Sequence, residues 1–272
     1  MNIIFLTFFT LLPILSLAQS EVKIKGSESY QIDSNIIGEK LNIDVYLPWE
    51  YDSSIAYPVV YITDSEYNFG GVSYISRRLM KNKDIPKVIL VGISYGGTYK
   101  DYYNKRARDL TPYKTSKKRF PDTGKADRFV KFLKEELFPF VGKKFKVIEE
   151  DKTLYGHSFG GLFGQYVLFK YPKLFKRVIS LSPSLWYKDK KIFEEEELFA
   201  KKNSNLPVVF FSAVGGLEPS YFVKDWMDMV RKIVNKKYKG LSFRHRLYEG
   251  ENHRSIFGVA FTDGIRYVFQ KK

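Results

Sequence analysis

The segment Gly156-His157-Ser158-Phe159-Gly160, followed by Gly161, is the strongest candidate for chemistry in the chain. A serine with glycine two residues before and two residues after it suits a sharp, strained turn, where bulkier side chains would collide. Residues 152–155 read as a strand and 161–170 as a helix, so the serine falls between strand and helix. There its hydroxyl stands at the edge of a sheet beside a helix N-terminus. Free backbone N–H groups and the helix dipole can stabilise an anion developing at that point. The chemistry such a turn serves is nucleophilic attack on an acyl carbon.

A serine hydroxyl is inert until a base takes its proton. The chain has three histidines, His157, His245 and His253. His157 lies inside the turn, points away from the hydroxyl and reads as a packing residue. His245 alternates with Phe243 and Leu247 and reads as a strand residue. His253 follows the last strand in the loop 249–253, and such loops carry catalytic residues more often than strand interiors do. It is the candidate base, in the chain order nucleophile, acid, histidine. The acid expected between them is Glu218, just past the apolar run 207–214, where it could accept from the His253 ring and hold its tautomer. Asp225, seven residues further on in a helical pattern, is the competitor; the other reading is a Ser-His pair with Glu218 at the surface. An oxyanion needs two donors. Phe159 N–H follows the nucleophile directly, and the second should come from the loop after the strand 57–63, at Asp64 or Ser65.

These residues need a frame. Residues 40–48 alternate apolar and polar, as expected of a half-exposed antiparallel strand, and pair with a strand over 21–33. Residues 57–63 and 87–94 are short continuous apolar runs, suited to strands buried on both faces. Further strands are expected over 177–181, 207–214 and 241–249. Helices are expected over 124–141, 188–202, 221–238 and 255–270. Strands alternating with helices predict an α/β fold: a mostly parallel central sheet with helices on both faces and an antiparallel N-terminal edge. Residues 95–123 read as one long loop, a length that marks either a functional segment or a solvated insertion.

The 272 residues, 44% hydrophobic with 11 Pro and 19 Gly, exclude a disordered or collagen-like chain. No apolar run in the body reaches the length of a membrane span, so no stable membrane anchor is expected. Residues 3–17 are apolar and uncharged, and Ser16 and Ala18 are small at −3 and −1 of a cut before Gln19. The expectation is a signal peptide over 1–18, an enzyme domain over 19–272 and export to the periplasm or medium. The absence of cysteine removes disulfides and thiolate metal sites. The net charge of +15 comes from scattered lysine pairs and reads as a solvated basic surface rather than a polyanion site. No nucleic-acid-binding motif is present.

The segments 58–69, 88–95, 106–112, 126–141, 153–187, 214–218 and 251–257 together resemble the esterase family of α/β-hydrolases. That family includes siderophore esterases, S-formylglutathione hydrolase and feruloyl or acetyl-xylan esterases. The resemblance spans most of the chain and implies the α/β-hydrolase fold, a Ser-His-Glu triad of Ser158, His253 and Glu218, and no metal or organic cofactor. The loop at Thr63-Asp64-Ser65 departs from the family's Leu-Asp-Gly. Arg106 and Arg108 match a basic pair of the family and could clamp an anionic group of a substrate; an internal pair with Asp109 is the other reading. Trp186 could wall the acyl pocket, or simply pack. The expected partner is a small-molecule or glycan ester. A basic protein rich in Tyr and Phe suits an anionic aromatic ester such as a siderophore or feruloylated glycan. The alternatives from other classes are an acyltransferase of the same fold, a non-catalytic binder that retains the serine turn, and a polyanion-binding protein.

Overall fold

The computed structural model describes residues 23–116 and 120–270. The expected leader, residues 1–18, lies outside the described residues. Eight strands form one sheet: β1 (Ser27–Ser34), β2 (Glu39–Tyr46), β3 (Tyr57–Ile62), β4 (Ile89–Ser94), β5 (Val147–His157), β6 (Arg177–Leu181), β7 (Val209–Gly215) and β8 (Ser242–Tyr248). Their order is β1-β2-β4-β3-β5-β6-β7-β8. β2 runs antiparallel to both β1 and β4, and every pair from β4 onward is parallel. This is the expected mixed sheet with an antiparallel N-terminal edge, an α/β-hydrolase fold.

The helices are α1 (Ser65–Lys81), α2 (Tyr99–Leu110), α3 (Ala126–Phe132), α4 (Phe138–Lys144), α5 (Phe159–Lys170), α6 (Tyr187–Lys190), α7 (Ile192–Lys202), α8 (Ser220–Lys236) and α9 (Ile256–Phe269). The two-residue period of a strand sorts them into layers. On β3, Val59 and Tyr61 join one core with Phe129 of α3, Phe163 of α5 and Trp226 of α8. Val60 and Ile62 join the other, with Phe69 of α1 and Phe261 of α9. Phe210 and Phe211 of β7 divide in the same way. Consecutive apolar residues therefore serve opposite faces, which is why these strands read as unbroken apolar runs.

Two helices have no counterpart in the sequence reading. α1 is masked by its polar face and by Gly70-Gly71. α2 occupies part of the stretch read as a long loop. Its start carries a capping box, in which Thr98 Oγ1 accepts from Asp101 N and Asp101 accepts from Thr98 N. The expected helix 124–141 is α3 and α4 joined by a π-helical turn over Leu133–Leu137. Pro139 lacks the N–H that a regular helix would use there, and the backbone widens ahead of it.

β3 connects toward β4 on one side, whereas β5 leads toward β6, β7 and β8 on the other. The carboxyl ends of β3 and β5 thus flank a switch in connection direction, where an open α/β sheet leaves a crevice. Ile62 and Tyr155 are in register there, so the loops after these two strands emerge side by side.

Candidate active site

Ser158 is the residue between β5 and α5, with φ 61° and ψ −115°. No L-residue adopts this without strain, and three hydrogen bonds hold it: Ser158 N to Leu181 O at 3.0 Å, Leu162 N to Ser158 O at 3.0 Å, and Ser184 N to Ser158 O at 3.1 Å. The flanking glycines are sterically required. A Cβ on Gly156 would sit 2.2 Å from Gly160 O, and one on Gly160 would sit 2.2 Å from Thr63 Oγ1. The second contact also shows that the loop after β3 abuts the turn.

His253 lies in the loop between β8 and α9, and its Nδ1 is 2.7 Å from Glu218 Oε2. Glu218 follows β7 and is buried. Its other oxygen accepts from Ser182 Oγ at 2.5 Å and from Gly215 N at 2.9 Å. Burial raises the pKa of this carboxyl, but the bonds from His253, Ser182 and Gly215 outweigh it and hold the group below its ordinary value. An ionised carboxylate on Nδ1 selects the tautomer with the proton there and leaves Nε2 free to act as a base. Asp225, the competing acid, is buried on α8, and its Oδ1 meets Lys190 Nζ at 2.5 Å instead.

His157 packs, as expected, but its partner is His253 itself: the ring centroids are 4.6 Å apart. Burial, then the neighbouring His253 and Arg106, push its pKa down from 6.5 to about 4. It is therefore a neutral ring against His253. Phe222 covers His253 from another side, edge-on at 5.1 Å. These contacts bring His253 to the residue that precedes Ser158. The one hydrogen bond of the Ser158 hydroxyl among the described residues is to Ser184 Oγ, at 3.3 Å.

The two candidate loop donors separate. Asp64 takes the left-handed conformation, φ 57° and ψ 52°, ahead of α1. Its carboxylate lies against the Gly160 backbone. The side chain of Ser65 turns away, its Oγ donating to Asp44 Oδ2 of β2 at 2.6 Å. Arg106 forks onto Asp64, with Nε–Oδ1 2.7 Å and Nη2–Oδ2 2.9 Å, and Tyr102 donates to the same carboxylate at 3.0 Å. The guanidinium also lies 5.1 Å from the Phe159 ring. Burial disfavours the charge on Arg106, but the Asp64 pair more than offsets it and raises its pKa. Arg106 thus holds the loop beside Ser158. Arg108 takes the internal pairing instead, bonding Asp109 at 2.9 and 2.6 Å, and it also meets Glu39 at 2.5 Å. Both arginines thus pair with carboxylates of the fold through Nε and Nη2. Trp186 is half-buried with its ring 6.3 Å from Phe159 and 5.9 Å from Phe222, between the two sides of the site.

Sequence reasoning missed Ser182, Ser184 and Phe222. No local pattern marks them: Ser182 and Ser184 reach the site from the loop after β6, and Phe222 from the first turn of α8.

A family model described as "Putative esterase" matches residues 34–267. The chain belongs to this esterase family. It is 27% identical over 262 residues to the ferri-bacillibactin esterase BesA of Bacillus subtilis, covering 90% of each chain. It is 31% identical over 249 residues to the siderophore enterobactin esterase of Emericella nidulans, covering 77% of this chain and 81% of that one. Among solved structures, it superposes on the BES protein of Bacillus cereus with a TM-score of 0.84 at 26% identity, over 93% of this chain and 99% of the other. Together with the site, this family membership makes the chain a hydrolase of carboxylic esters. No helix among the described residues is long and apolar enough to cross a membrane.

Proposed function

We propose that the chain is a serine esterase with Ser158 as nucleophile, His253 as base and Glu218 as the acid that orients it. The observation that carries this reading is the 2.7 Å contact between Glu218 and His253 Nδ1, with the His253 ring packed on the residue before the strained serine. With Ser184 Oγ donating to it, Ser158 Oγ gives its proton to His253 Nε2 and attacks the ester carbonyl. Catalytic hydrogen bonds of this kind tighten when substrate is present. The tetrahedral oxyanion is received by the N–H groups of Phe159 and Asp64, neither of which bonds a protein acceptor among the described residues. His253 returns the proton to the departing alcohol, and water then releases the acyl group from Ser158 along the reverse path.

For the substrate we propose a siderophore ester. Two relatives named above are a ferri-bacillibactin esterase and a siderophore enterobactin esterase, and aromatic rings at Phe159, Trp186, Tyr221 and Phe222 flank the site. The apolar run 3–17 supports export, which cell fractionation with the full-length chain checks. Ferric siderophores, feruloyl esters and acetylated sugars are to be assayed side by side, with and without acceptor alcohols. Siderophore esters should show the highest kcat/KM. Preference for acetylated sugars would reverse the substrate assignment, and a transfer product would make the chain an acyltransferase.

A further inference from the structure

Three serines alternate at the end of β6 and beyond it, Ser180, Ser182 and Ser184, and all are buried, with exposures of 0%, 0% and 1%. A buried hydroxyl without a partner is costly, so where each one points is informative. Ser180 Oγ donates to Gly161 O, in the first turn of α5, at 2.9 Å. Ser182 Oγ donates to Glu218 Oε1, the carboxylate oxygen that His253 does not use. Ser184 Oγ meets Ser158 Oγ, and its N–H bonds Ser158 O. One loop thus grips the nucleophile and the acid, which lie sixty residues apart in sequence.

The backbone is shaped for this grip. Ser182 is left-handed, φ 42°, and its N–H is anchored to Ala213 O of β7 at 2.8 Å. The loop also passes so close to α5 that a Cβ on Gly161 would lie 2.8 Å from Leu181 O and 3.1 Å from Pro183 Cα. This explains the glycine that follows the nucleophile turn, which the turn itself does not require.

Resting on the esterase reading above, we propose that Ser182 and Ser184 are positioning residues of the site. Ser184 holds the resting rotamer of the Ser158 hydroxyl. Ser182 fixes the plane of the Glu218 carboxylate and so the orientation of His253. Both act through hydroxyls, on geometry that must be right to well within an ångström for proton transfer.

The test uses Ser180→Ala, Ser182→Ala and Ser184→Ala in the full chain, reading Tm, KM, kcat and the rate of labelling by a fluorophosphonate. All three variants lose a buried hydroxyl and should lose comparable stability. Only Ser182→Ala and Ser184→Ala should lower kcat and the labelling rate, by about tenfold, with KM within about twofold. Ser180→Ala should keep kcat within about twofold, since its bond reaches neither acid nor nucleophile. Ser184→Thr, which keeps the hydroxyl, should label faster than Ser184→Ala. Equal kcat in all three alanine variants, or a folded Ser184→Thr as slow as Ser184→Ala, would overturn the proposal. Where Ser182→Ala folds poorly, Ser182→Gly relieves the left-handed backbone while still lacking the hydroxyl, and must show the same loss of kcat. If the wild-type chain takes no label and cleaves no ester, the esterase reading itself has failed.

Discussion

At the carboxyl ends of β3, β5 and β6 the chain bends through left-handed non-glycine residues: Asp64 at φ 57°, Ser158 at 61° and Ser182 at 42°. At the opposite end of the sheet Glu50 and Lys83 are left-handed too, at 53° and 61°. The difference lies in what surrounds the strain. Asp64 and Ser182 are buried, and their side chains bond an arginine and a carboxylate of the site. Glu50 and Lys83 are exposed. They line a groove of about 810 Å³ with Trp49, Met80, Lys81 and Phe269. Several charges of that groove are paired or lie on a ring: Lys87 meets Glu50 at 3.6 Å, Asp84 meets Arg266 at 3.1 Å, and Lys81 lies over Trp49 at 4.5 Å. The proposed site thus coincides with strain held by buried polar bonds, and not with the groove.

The sharpest way to break this comparison is to remove the proposed nucleophile at one end and an exposed aromatic of the groove at the other. Ser158→Ala should lower kcat on a p-nitrophenyl ester by about 10⁴-fold or more, whereas Trp49→Ala should leave it within about twofold. A large loss in Trp49→Ala would move function toward the groove. The next effect is smaller and discriminates between two buried carboxylates. Glu218→Gln should cost about 10²–10⁴ in kcat, by analogy with removal of the acid from other triads, and Asp225→Asn no more than a few-fold. Comparable losses in the two variants would place the acid elsewhere.

The third effect is on stability rather than rate. His157 has its folded pKa depressed from 6.5 to about 4, so the unfolded chain binds a proton more readily between those values. Its contribution is complete above pH 6.5 and is lost as pH falls toward 4, on the order of 3 kcal/mol in all. Glu218 also has a depressed pKa, so its contribution is present above its unfolded value of 4.5 and is lost as pH falls below it. Denaturant unfolding between pH 7 and pH 4.5 should thus show a slope that His157→Phe flattens. An unchanged slope in that variant would mean that His157 takes up its proton equally in the folded and unfolded chain.

The chain itself determined whatever depends on near neighbours. Gly156 and Gly160 mark the turn because a Cβ at either one collides within the turn or against the adjoining loop. The apolar runs of β3 and β4 mark a sheet covered on both faces, because alternate residues must each enter a core. Ser158, Glu218 and His253 were legible because each follows a strand, and parallel strands deliver such residues to one end of the sheet. Tertiary structure alone decided the pairing of side chains far apart in sequence. It committed Arg106 to Asp64 and Arg108 to Glu39, set His157 on His253, and turned Ser182 and Ser184 onto Glu218 and Ser158. The reason is physical. Steric and periodic constraints act over a few residues and leave a mark in the sequence. A buried hydroxyl or guanidinium takes whichever partner the packed strands bring within about 3 Å, and no local pattern encodes that meeting.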